Sequence, residues 1–599
     1  MAYILGISAF YHDSAACLLK DGKILAAAQE ERFSRKKNDP SFPSNTIKWL
    51  MDYYGISPED IDIVCFYDKP LLKFERLLET YYSFAPRGFK SFAKAIPVWI
   101  KQKIFIKDLI RHELKSINGG KKVASQILFT EHHLSHAASA FFPSPFEKAT
   151  ILTVDGVGEW ATASIAKGEG KQIKIIKEMH FPNSIGLFYS AMTYYCGFKV
   201  NSGEYKLMGL APYADRESKE VKKYKRLLEE NVIDIKKDGS VQMNMDFFDY
   251  PIGLKMCNDK MFANLLGFDK RVPEEELKRE YMELAMATQL ITEKCIINMS
   301  REAVNITGYK DIVLAGGVAL NCVANSRILK ENVAERIWIQ PAAGDAGGAL
   351  GAALSTWHIY LENERFISAN EFDPYLGPEY SDLDIEKICR KYNANFDKIS
   401  NFDDLLGKIA GLIADGNVIG WFQGRTEWGP RALGNRSILA DPRNPLMQKK
   451  LNLKIKYRES FRPFAPSVLE ERSNEYFDTD INSPYMLLVA DVVESRRKGS
   501  SGEHKDWKEL INEKRSEIPA VTHIDYSARL QTVSKSMNPK YYELIKKFGE
   551  LTGIPVLINT SFNVRGEPIV NSPEDAYKCF MNTEMDYLVM GNYLLDKKN

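Results

Sequence analysis

Three of the nine histidines in the chain fall within five positions, as His132, His133 and His136. The alanine-rich composition of the next residues favours a helix from Leu134 to Phe142. In a helical segment, His132 and His136 would lie one turn apart on the same face. That spacing lets one helix give a metal two nitrogen ligands. It therefore predicts a metal site, although a helix N-terminus with histidines placed by chance gives the same pattern.

Two aspartates that follow strand-like runs could complete such a ligand set. Asp155 follows the apolar run 150–154 and begins a glycine-rich turn. Asp345 follows a second short run, 337–340. A carboxylate in either position can bind a metal, but an aspartate between a strand and a helix can also cap the helix. We interpret the set as a metal site formed by His132, His136, Asp155 and Asp345.

A fourth histidine, His12, lies in a polar turn between the first two predicted strands. A histidine that faces a cleft suits the role of a general base, because it titrates near neutral pH. A structural, hydrogen-bonded histidine is equally compatible with this position.

The order of predicted strands in the N-terminal part occurs twice. In each copy a strand, a polar turn, a second strand, a tight turn and a third strand follow one another. Such a repeat predicts a duplicated α/β fold with a cleft between the halves. In the actin and hexokinase superfamily, the paired loops face each other across a nucleotide. The predicted strands are 3–7, 15–19 and 23–29 in the first copy, and 150–154, 161–166 and 172–179 in the second.

A long helix is predicted after the second copy. Pro273 and Gly308 bracket the helical pattern 274–306, with proline at the start and glycine after the end.

A glycine pair, Gly316 and Gly317, follows the buried-type strand 311–315 and leads through Asn321 into a helix that ends near Leu329. Glycines at a helix N-terminus allow the backbone to approach a nucleotide closely. A lone glycine pair is weak evidence, but its position after the duplicated strands strengthens it. We therefore assign nucleotide binding to these glycines and Asn321.

Residues 69–122 separate the two copies and are unusually basic. They hold 13 Lys and Arg against 4 Asp and Glu, interleaved with aromatic residues. The pattern favours a helical subdomain with a solvated face. The alternative is a basic, amphipathic surface for an anionic or lipid-linked acceptor, with weak association at a membrane surface.

Composition excludes several other classes of protein. A chain of 599 residues is expected to form roughly two to four domains, and its net charge of +1 gives no general signature of nucleic-acid binding. The eight cysteines are scattered without a Cys-x-x-Cys pair, which indicates reduced, mostly buried thiols. No secretory leader and no apolar run of about 18 residues is evident, so a cytoplasmic protein without a membrane span is expected.

A boundary is predicted near residue 365, and the basic residues beyond it concentrate in loops rich in glycine, proline and asparagine. The arginine fork and the lysine point charge both suit a phosphate group. A solvated basic face explains these loops poorly, because the flanking residues are apolar or turn-forming. The basic residues concerned are Arg425, Arg431, Lys454, Lys456, Arg458, Arg462 and Arg529.

Seven motifs, in this order, resemble the O-carbamoyltransferases of antibiotic and nodulation-factor biosynthesis, and the resemblance runs nearly end to end. It implies an α/β protein with an N-terminal actin-like domain, a duplicated ribonuclease H-like unit, at 1–365, and a C-terminal YrdC-like α/β domain at 366–599. The motifs are Phe10–Ala15, Glu131–His136, Gly316–Asn321, Gly344–Gly348, Gly424–Arg436, Arg462–Pro466 and Asn559–Asn563.

The resemblance also implies a reaction in two stages. The C-terminal domain makes carbamoyl-adenylate from carbamoyl phosphate and ATP with Mg²⁺, and the N-terminal domain transfers the carbamoyl group to a hydroxyl of a small-molecule or glycan acceptor. The metal would be Fe²⁺, held by His132, His136, Asp155 and Asp345, although zinc or manganese would suit the same ligand types. His12 is the implied catalytic residue, and Lys37 is assigned to the acceptor. Carbamoyl phosphate is assigned to Arg425, Arg431, Lys456, Arg458, Arg529 and Asn559.

Two other functions stay open at this point. The carbamoyltransferase of hydrogenase maturation looks similar in both domains, but it carries Cys-x-x-Cys fingers that this sequence lacks. A non-catalytic, actin-like ATP-binding module is the second alternative, and the predicted metal set and His12 argue against it.

Overall fold

A computed structural model describes residues 2–100, 105–367, 371–499, 510 and 513–597. The chain forms two compact units. Unit 1 comprises Met1–Glu30 and Asp39–Phe372, and unit 2 comprises Glu31–Asn38 and Asp373–Asn599. The sequence predicts one boundary near residue 365, and it gives no signal of the short excursion Glu31–Asn38 into unit 2.

Unit 1 contains two five-stranded sheets. The strands of the first are β1 Tyr3–Ser8, β2 Ala15–Lys20, β3 Lys23–Gln29, β4 Ile63–Phe66 and β5 Gln126–Phe129. Those of the second are β6 Lys148–Val154, β7 Ala161–Glu169, β8 Gln172–His180, β11 Asp311–Ala315 and β12 Arg336–Ile339. A separate two-stranded sheet is formed by β9 Ile233–Ile235 and β10 Val241–Met243.

The two large sheets of unit 1 have the same topology. Their strand orders are β3-β2-β1-β4-β5 and β8-β7-β6-β11-β12. In each sheet, the first three strands in chain order pair antiparallel with their neighbours. The fourth strand pairs parallel with the first, and the fifth pairs parallel with the fourth. The central strands are buried apolar runs, because helices cover both faces of such a sheet. The predicted duplication of an α/β unit is therefore confirmed.

Helices connect and cover these strands. Within its described residues, the predicted insertion 69–122 contains the helices Pro70–Phe84, Phe89–Val98 and Ile106–Ile117. The other described helices of unit 1 are Ser44–Tyr54, His132–Phe141, Ile185–Tyr195, Glu204–Leu210, Lys219–Asn231, Asp259–Leu266, Arg279–Thr307, Cys322–Lys330 and Ala346–Ser355.

The long helix of unit 1 starts later than predicted. It spans Arg279–Thr307, and Gly308 ends it with φ 75° and a hydrogen bond from its N–H to the Val304 carbonyl. The predicted start at Glu274 is wrong, because Glu274 has φ 68°, outside the right-handed helical region.

Unit 2 is built on one ten-stranded sheet. Its strand order is β13-β22-β21-β14-β15-β20-β16-β19-β18-β17. The strands are β13 Phe396–Lys398, β14 Ile419–Phe422, β15 Arg436–Ala440, β16 Ala465–Leu469, β17 Phe477–Asp478, β18 Leu488–Val492, β19 Ser527–Val533, β20 Val556–Ser561, β21 Tyr587–Met590 and β22 Tyr593–Asp596. The described helices are Glu31–Ser34, Asp382–Lys391, Phe402–Ala414, Met447–Lys450, Pro539–Thr552 and Pro573–Met581.

Alternate residues of these strands pack into two different cores. In β20, Ile558 belongs to one hydrophobic cluster and Leu557 to the other. In β15, Ile438 and Leu439 divide in the same way. Because successive strand residues point to opposite faces, both faces of this part of the sheet are covered.

All eight cysteines are buried and unpaired, as the sequence predicts. Within the described ranges, no helix combines the length and apolar character that a membrane crossing needs.

Candidate active site

Four side chains of unit 1 converge from three separate segments. His132 and His136 lie one turn apart in the helix His132–Phe141, Asp155 follows β6, and Asp345 directly precedes the helix Ala346–Ser355. One ligand atom from each of the four residues lies within 4.8 Å of all the others. The sequence-predicted set is thus brought together.

The distances within this set fit a single metal ion. His132 Nε2 lies 3.0 Å from Asp155 Oδ2 and 3.1 Å from His136 Nε2. The oxygen Oδ1 of Asp345 lies 3.7 Å from His132 Nε2 and 3.8 Å from His136 Nε2. Ligands bonded to one ion at about 2.0–2.2 Å lie about 3–3.5 Å from each other, so small adjustments complete the site.

The chemistry of the four groups also fits a metal. All four are buried, and a cation offsets the cost of burying two carboxylates together. Burial holds the pKa of His132 well below its usual value, which keeps the imidazole neutral and able to bind a metal. Burial opposes ionisation of Asp155, but hydrogen bonds from His132 and His136 hold its pKa well below the usual range.

A close contact between two helices brings the ligands together. A Cβ added to Gly351, in the helix Ala346–Ser355, would lie 1.7 Å from the carbonyl oxygen of Ser135. The helix that carries His132 and His136 therefore lies directly against the helix that follows Asp345. Only glycine allows this approach.

Replacing Gly351 with alanine is expected to separate the two helices. We expect Gly351→Ala to lower the free energy of unfolding by about 1–3 kcal/mol, because the added methyl group overpacks a closed contact. Bound metal per chain should fall with it. Calorimetry and elemental analysis measure the two effects. The matched control is Gly411→Ala, a helical glycine whose added Cβ meets no atom within 4 Å. Wild-type stability and metal content in Gly351→Ala would contradict the packing argument.

Glu159 and Tyr67 hold the ligand residues from outside the set. The Glu159 carboxylate accepts hydrogen bonds from the backbone N–H of His132 (3.1 Å) and of Lys69 (2.7 Å). The Tyr67 hydroxyl donates to Asp345 Oδ2 at 3.4 Å. Sequence reasoning assigned neither residue. Glu159 had a signal, since it is a charged residue in a glycine-rich turn, whereas nothing in the sequence distinguishes Tyr67.

His12 lies beside the ligand set and is reachable from solvent. Its Nδ1 lies 3.0 Å from Asp13 Oδ2, and its Nε2 lies 3.7 Å from Asp345 Oδ2. The His12 side chain is 35 % exposed, whereas the side chains of His132 and His136 are 1 % exposed. Asp13 therefore suits the position of the carboxylate that fixes the tautomer, which leaves Nε2 as the acceptor of a proton.

The loop that holds His12 has a costly backbone conformation. Phe10 has φ 75° and Asp13 has φ 54°. Aspartate tolerates this region, but a bulky residue such as phenylalanine rarely adopts it, at a cost of about 1–3 kcal/mol. Strain of this kind is concentrated at functional sites.

The electrostatics of His12 depend on the ligand carboxylates. Burial lowers its pKa, but the charge of Asp345 and the hydrogen bond to Asp13 outweigh burial and raise the pKa to about 10. A cation bound by Asp345 would offset that charge and return the imidazole toward its ordinary range.

The predicted nucleotide-binding glycines adjoin the ligand set. Gly316 has φ 90°, and a Cβ there would lie 2.3 Å from the Val154 carbonyl oxygen. The Gly317 N–H donates to Asp155 Oδ1 at 2.9 Å. Asn321 caps the next helix and exchanges amide hydrogen bonds with Gln289. Its role with a nucleotide stays a prediction.

Two residues of unit 2 that are predicted to bind carbamoyl phosphate donate hydrogen bonds to other residues of the unit. Arg425 donates to the carbonyl oxygens of Gly377 (2.9 Å) and Leu376 (2.7 Å). The Lys456 ammonium donates to the Ser561 carbonyl (2.6 Å) and to both oxygens of Asn563 (2.8 and 2.7 Å). Both cations therefore fix backbone segments of unit 2.

Lys456 nevertheless marks a positively charged cluster. Burial, followed by the charges of Arg458, Arg462 and Lys37, holds the pKa of Lys456 well below its usual value. Lys37 lies in the excursion Glu31–Asn38, so it belongs to unit 2. The predicted acceptor residue is thus part of the basic cluster, while His12 and the ligand set belong to unit 1.

The side-chain oxygen of Asn559 lacks a hydrogen-bond donor among the described residues. Asn559 is fully buried in β20, and its Nδ2 donates to Gln531 Oε1 (2.8 Å) and to the Ala432 carbonyl (3.2 Å). Its Oδ1 has no donor among the residues that the structure describes. A buried acceptor left unpaired costs about 1–3 kcal/mol, so an N–H group of a ligand would suit this position. Arg529 lies two residues before Gln531 in β19 and so projects from the same face.

Charged residues of the motif Gly424–Arg436 maintain the loop itself. Glu427 Oε1 accepts from the backbone N–H groups of Leu433 (2.9 Å), Asn435 (2.9 Å) and Arg436 (3.0 Å). The buried Arg436 guanidinium donates to backbone carbonyls and lies 3.7 Å from the Phe422 ring centre. Arg431 is half-buried in the same loop, and its contact with the donor stays a prediction.

Comparisons with known proteins identify the family of the chain. The family model "Carbamoyltransferase N-terminus" matches residues 3–354, and "Carbamoyltransferase C-terminus" matches residues 410–597. The matches identify the chain as a transferase enzyme. It belongs to the carbamoyltransferase family, which confirms the resemblance seen in the sequence and sets aside the non-catalytic module.

Several relatives match over most of their length. "Uncharacterized protein sll1178" of Synechocystis sp. is 54% identical over 100% of this chain and 97% of its own. "Nodulation protein NolNO" of Sinorhizobium fredii is 38% identical over 98% of this chain and 79% of its own. "Nodulation protein NolO" of Bradyrhizobium diazoefficiens is 36% identical over 78% of this chain and 79% of its own. Among solved structures, full-length HypF in the phosphate- and nucleotide-bound form has a TM-score of 0.30 and 16% identity over 60% of this chain and 56% of its own, too low for any argument.

Proposed function

We propose that the protein is an ATP-dependent O-carbamoyltransferase that moves the carbamoyl group of carbamoyl phosphate to a hydroxyl in two stages. Family membership supports the transfer of a carbamoyl group. The observation that carries the proposal is the position of His12, solvent-accessible and 3.7 Å from the ligand residue Asp345. An acceptor hydroxyl could reach a base at that point while the activated carbamoyl group lies against the ligand set.

The first stage belongs to unit 2, which we propose acts as the YrdC-like domain of the family. Carbamoyl phosphate loses phosphate to water, and an oxygen of the resulting carbamate attacks the α-phosphorus of ATP and displaces pyrophosphate. The products are carbamoyl-adenylate, pyrophosphate and phosphate. The unpaired Oδ1 of Asn559 suits the carbamoyl NH₂ group, and the Arg529 guanidinium suits a phosphate.

The second stage belongs to unit 1. His12 Nε2 accepts the proton of the acceptor hydroxyl while Asp13 holds the Nδ1–H. The acceptor oxygen then bonds to the carbamoyl carbon, and AMP leaves with the bonding electrons. A metal held by His132, His136, Asp155 and Asp345, with iron as the implied ion, would supply positive charge to the reacting oxygens. The backbone of Gly316 and Gly317 would lie against the adenylate.

The relatives and the family resemblance support the proposed acceptor class. Two of them are named nodulation proteins, and the family resemblance implies a hydroxyl of a small molecule or a glycan. We place the reaction in the cytoplasm, because eight buried and unpaired cysteines suit a reducing compartment.

The test of the first stage needs no acceptor. We expect the purified protein to release pyrophosphate from ATP and Mg²⁺ only when carbamoyl phosphate is present. Arg529→Ala should lower that rate about 100-fold or more, because a charge-assisted contact to the donor is lost. The control is Arg472→Ala, which removes an arginine from a surface pair with Glu475. Absence of pyrophosphate from the wild type with iron, zinc or manganese bound would refute donor activation.

A further inference from the structure

The first two helices of the insertion expose large apolar side chains. In and beside Pro70–Phe84 and Phe89–Val98, the exposed fractions are 65% for Leu71, 39% for Leu78, 87% for Tyr82 and 73% for Phe89. Soluble surfaces carry isolated apolar residues, but a concentration within twenty residues marks an interaction surface.

The exposure has a helical period. Leu71, Leu78 and Tyr82 lie at i, i+7 and i+11 and so form one stripe along the helix Pro70–Phe84. Lys73 and Thr80, on the other side of the same helix, are buried. One side of the helix therefore packs into unit 1, and the other presents these apolar residues to solvent, with the exposed Glu75 and Glu79 between them.

A neighbouring loop adds to this surface. Ser91 Oγ donates to the carbonyl oxygen of Ile252, and a Cβ on Gly88 would lie 2.7 Å from the Cβ of Ile252. Leu254, two residues further on, is 75% exposed. We define the docking face as the apolar residues Leu71, Leu78, Tyr82, Phe89 and Leu254 with the basic residues Arg87, Lys90 and Lys94.

The basic residues of the docking face are uncompensated. Arg87, Lys90 and Lys94 are exposed, and none of them forms an ion pair with a described residue. The whole insertion carries 13 basic and 4 acidic residues, while the complete chain has a net charge of only +1. Two of the acidic residues, Glu75 and Glu79, are exposed in the helix Pro70–Phe84. The positive charge is therefore concentrated at Phe89–Val98 and beyond.

We propose that the docking face binds the surface of an anionic lipid bilayer. Exposed leucines and aromatic rings beside uncompensated lysines are the combination that interfacial helices use, with apolar side chains among the acyl chains and cations at the headgroups. Single-stranded nucleic acid could stack on Tyr82 and Phe89, but it would leave the exposed leucines Leu71, Leu78 and Leu254 without an apolar partner.

The docking face and the transfer site share one helix. The Lys73 ammonium lies 3.9 Å from the centre of the Tyr11 ring, and Tyr11 directly precedes His12. A helix with its side chains is about 10–12 Å across, so His12 would lie within a short distance of the bilayer. Membrane docking would thus favour acceptors presented at a membrane. Docking itself does not depend on the proposed carbamoyl transfer.

Vesicle sedimentation tests the docking face. We expect the full chain to sediment with phosphatidylglycerol vesicles at low salt, and to stay in solution with phosphatidylcholine vesicles or at high salt. Tyr82→Ser with Phe89→Ser should weaken partitioning about tenfold or more. Lys90→Gln with Lys94→Gln should weaken it about 25-fold, at roughly fivefold for each charge near an anionic surface.

The matched control replaces two exposed leucines that lie outside the docking face. Leu383→Ser with Leu551→Ser changes two residues of unit 2 that are 62% and 60% exposed, and it should sediment like the wild type. All variants should keep the wild-type rate of pyrophosphate release, since none of these residues lies in the proposed machinery. Equal sedimentation of the Tyr82/Phe89 variant and the wild type would overturn the proposal. So would the absence of vesicle binding, or a concentration-dependent dimer that the same double substitution abolishes.

Discussion

Replacing His136 with alanine is expected to remove the bound metal and to lower carbamoylation of an acceptor about 1000-fold or more. The Nε2 atom of His132 lies 3.0 Å from Asp155 Oδ2 and 3.1 Å from His136 Nε2, and one ring nitrogen cannot donate to the first while it accepts from the second. One metal ion satisfies both nitrogen atoms, and loss of one of four ligands leaves two buried carboxylates undercompensated. Pyrophosphate release by unit 2 should stay within about twofold of the wild type, because its residues lie elsewhere.

The control for this prediction is the neighbouring histidine. His133 is as buried as His136, but its Nδ1 faces the Thr153 hydroxyl at 2.7 Å instead of the ligand set. His133→Asn should therefore cost stability and keep the metal. Elemental analysis of both proteins, with the transfer of ¹⁴C-carbamoyl to a panel of glycans and hydroxylated small molecules, separates the two effects. Full metal content in His136→Ala would rule out the assigned ligand set.

Replacing His12 with alanine is expected to lower the same transfer by about 100- to 10,000-fold, the range for loss of a general base. Metal content and pyrophosphate release should not change, because His12 contributes no atom to the ligand set. Asp13→Asn should have a smaller effect of about tenfold, since it removes only the group that orients the imidazole. Initial rates of transfer of a labelled carbamoyl group, measured at saturating acceptor, show whether the substitution lowers kcat.

Added imidazole distinguishes a missing base from a damaged fold. The His12 side chain is 35 % exposed, so free imidazole can enter the space left by His12→Ala and restore part of the rate. His180→Ala, at a surface histidine beside Glu178, is the control and should behave like the wild type. If His12→Ala lost its metal together with its activity, His12 would be a structural residue and not the base.

The ligand set was predictable because each part of it is local. The i, i+4 spacing of His132 and His136 fixes their relation within one helix, and both aspartates lie where buried strands end. The duplication was predictable for the same reason, since turns and alternating strands leave short-range signals. The order of the strands within the sheets then brings those strand ends together.

The contacts that the sequence could not reveal are those with distant or backbone partners. Lys456 and Ser561 are 105 positions apart, and Tyr67 and Asp345 are 278 positions apart. Carbonyl acceptors, such as those of Leu376 and Gly377 for Arg425, carry no sequence signal at all. A loop arginine that binds phosphate and one that anchors a backbone segment therefore look alike until the strand order is known.

The excursion Glu31–Asn38 constrains how the gene for this enzyme can be divided. Arg32 donates to the Gly429 carbonyl at 2.7 Å, and Arg35 donates to the carbonyls of Pro568 (2.9 Å) and Ile569 (2.7 Å). A polypeptide that starts at residue 373 would lack a segment of its own unit, and its partner fragment would carry those arginines without their acceptors. Recombination between relatives must therefore exchange two separate stretches of coding sequence to transplant unit 2. A single crossover would produce a chimera in which Arg32 and Arg35 come from one parent and the carbonyl groups that they contact come from the other.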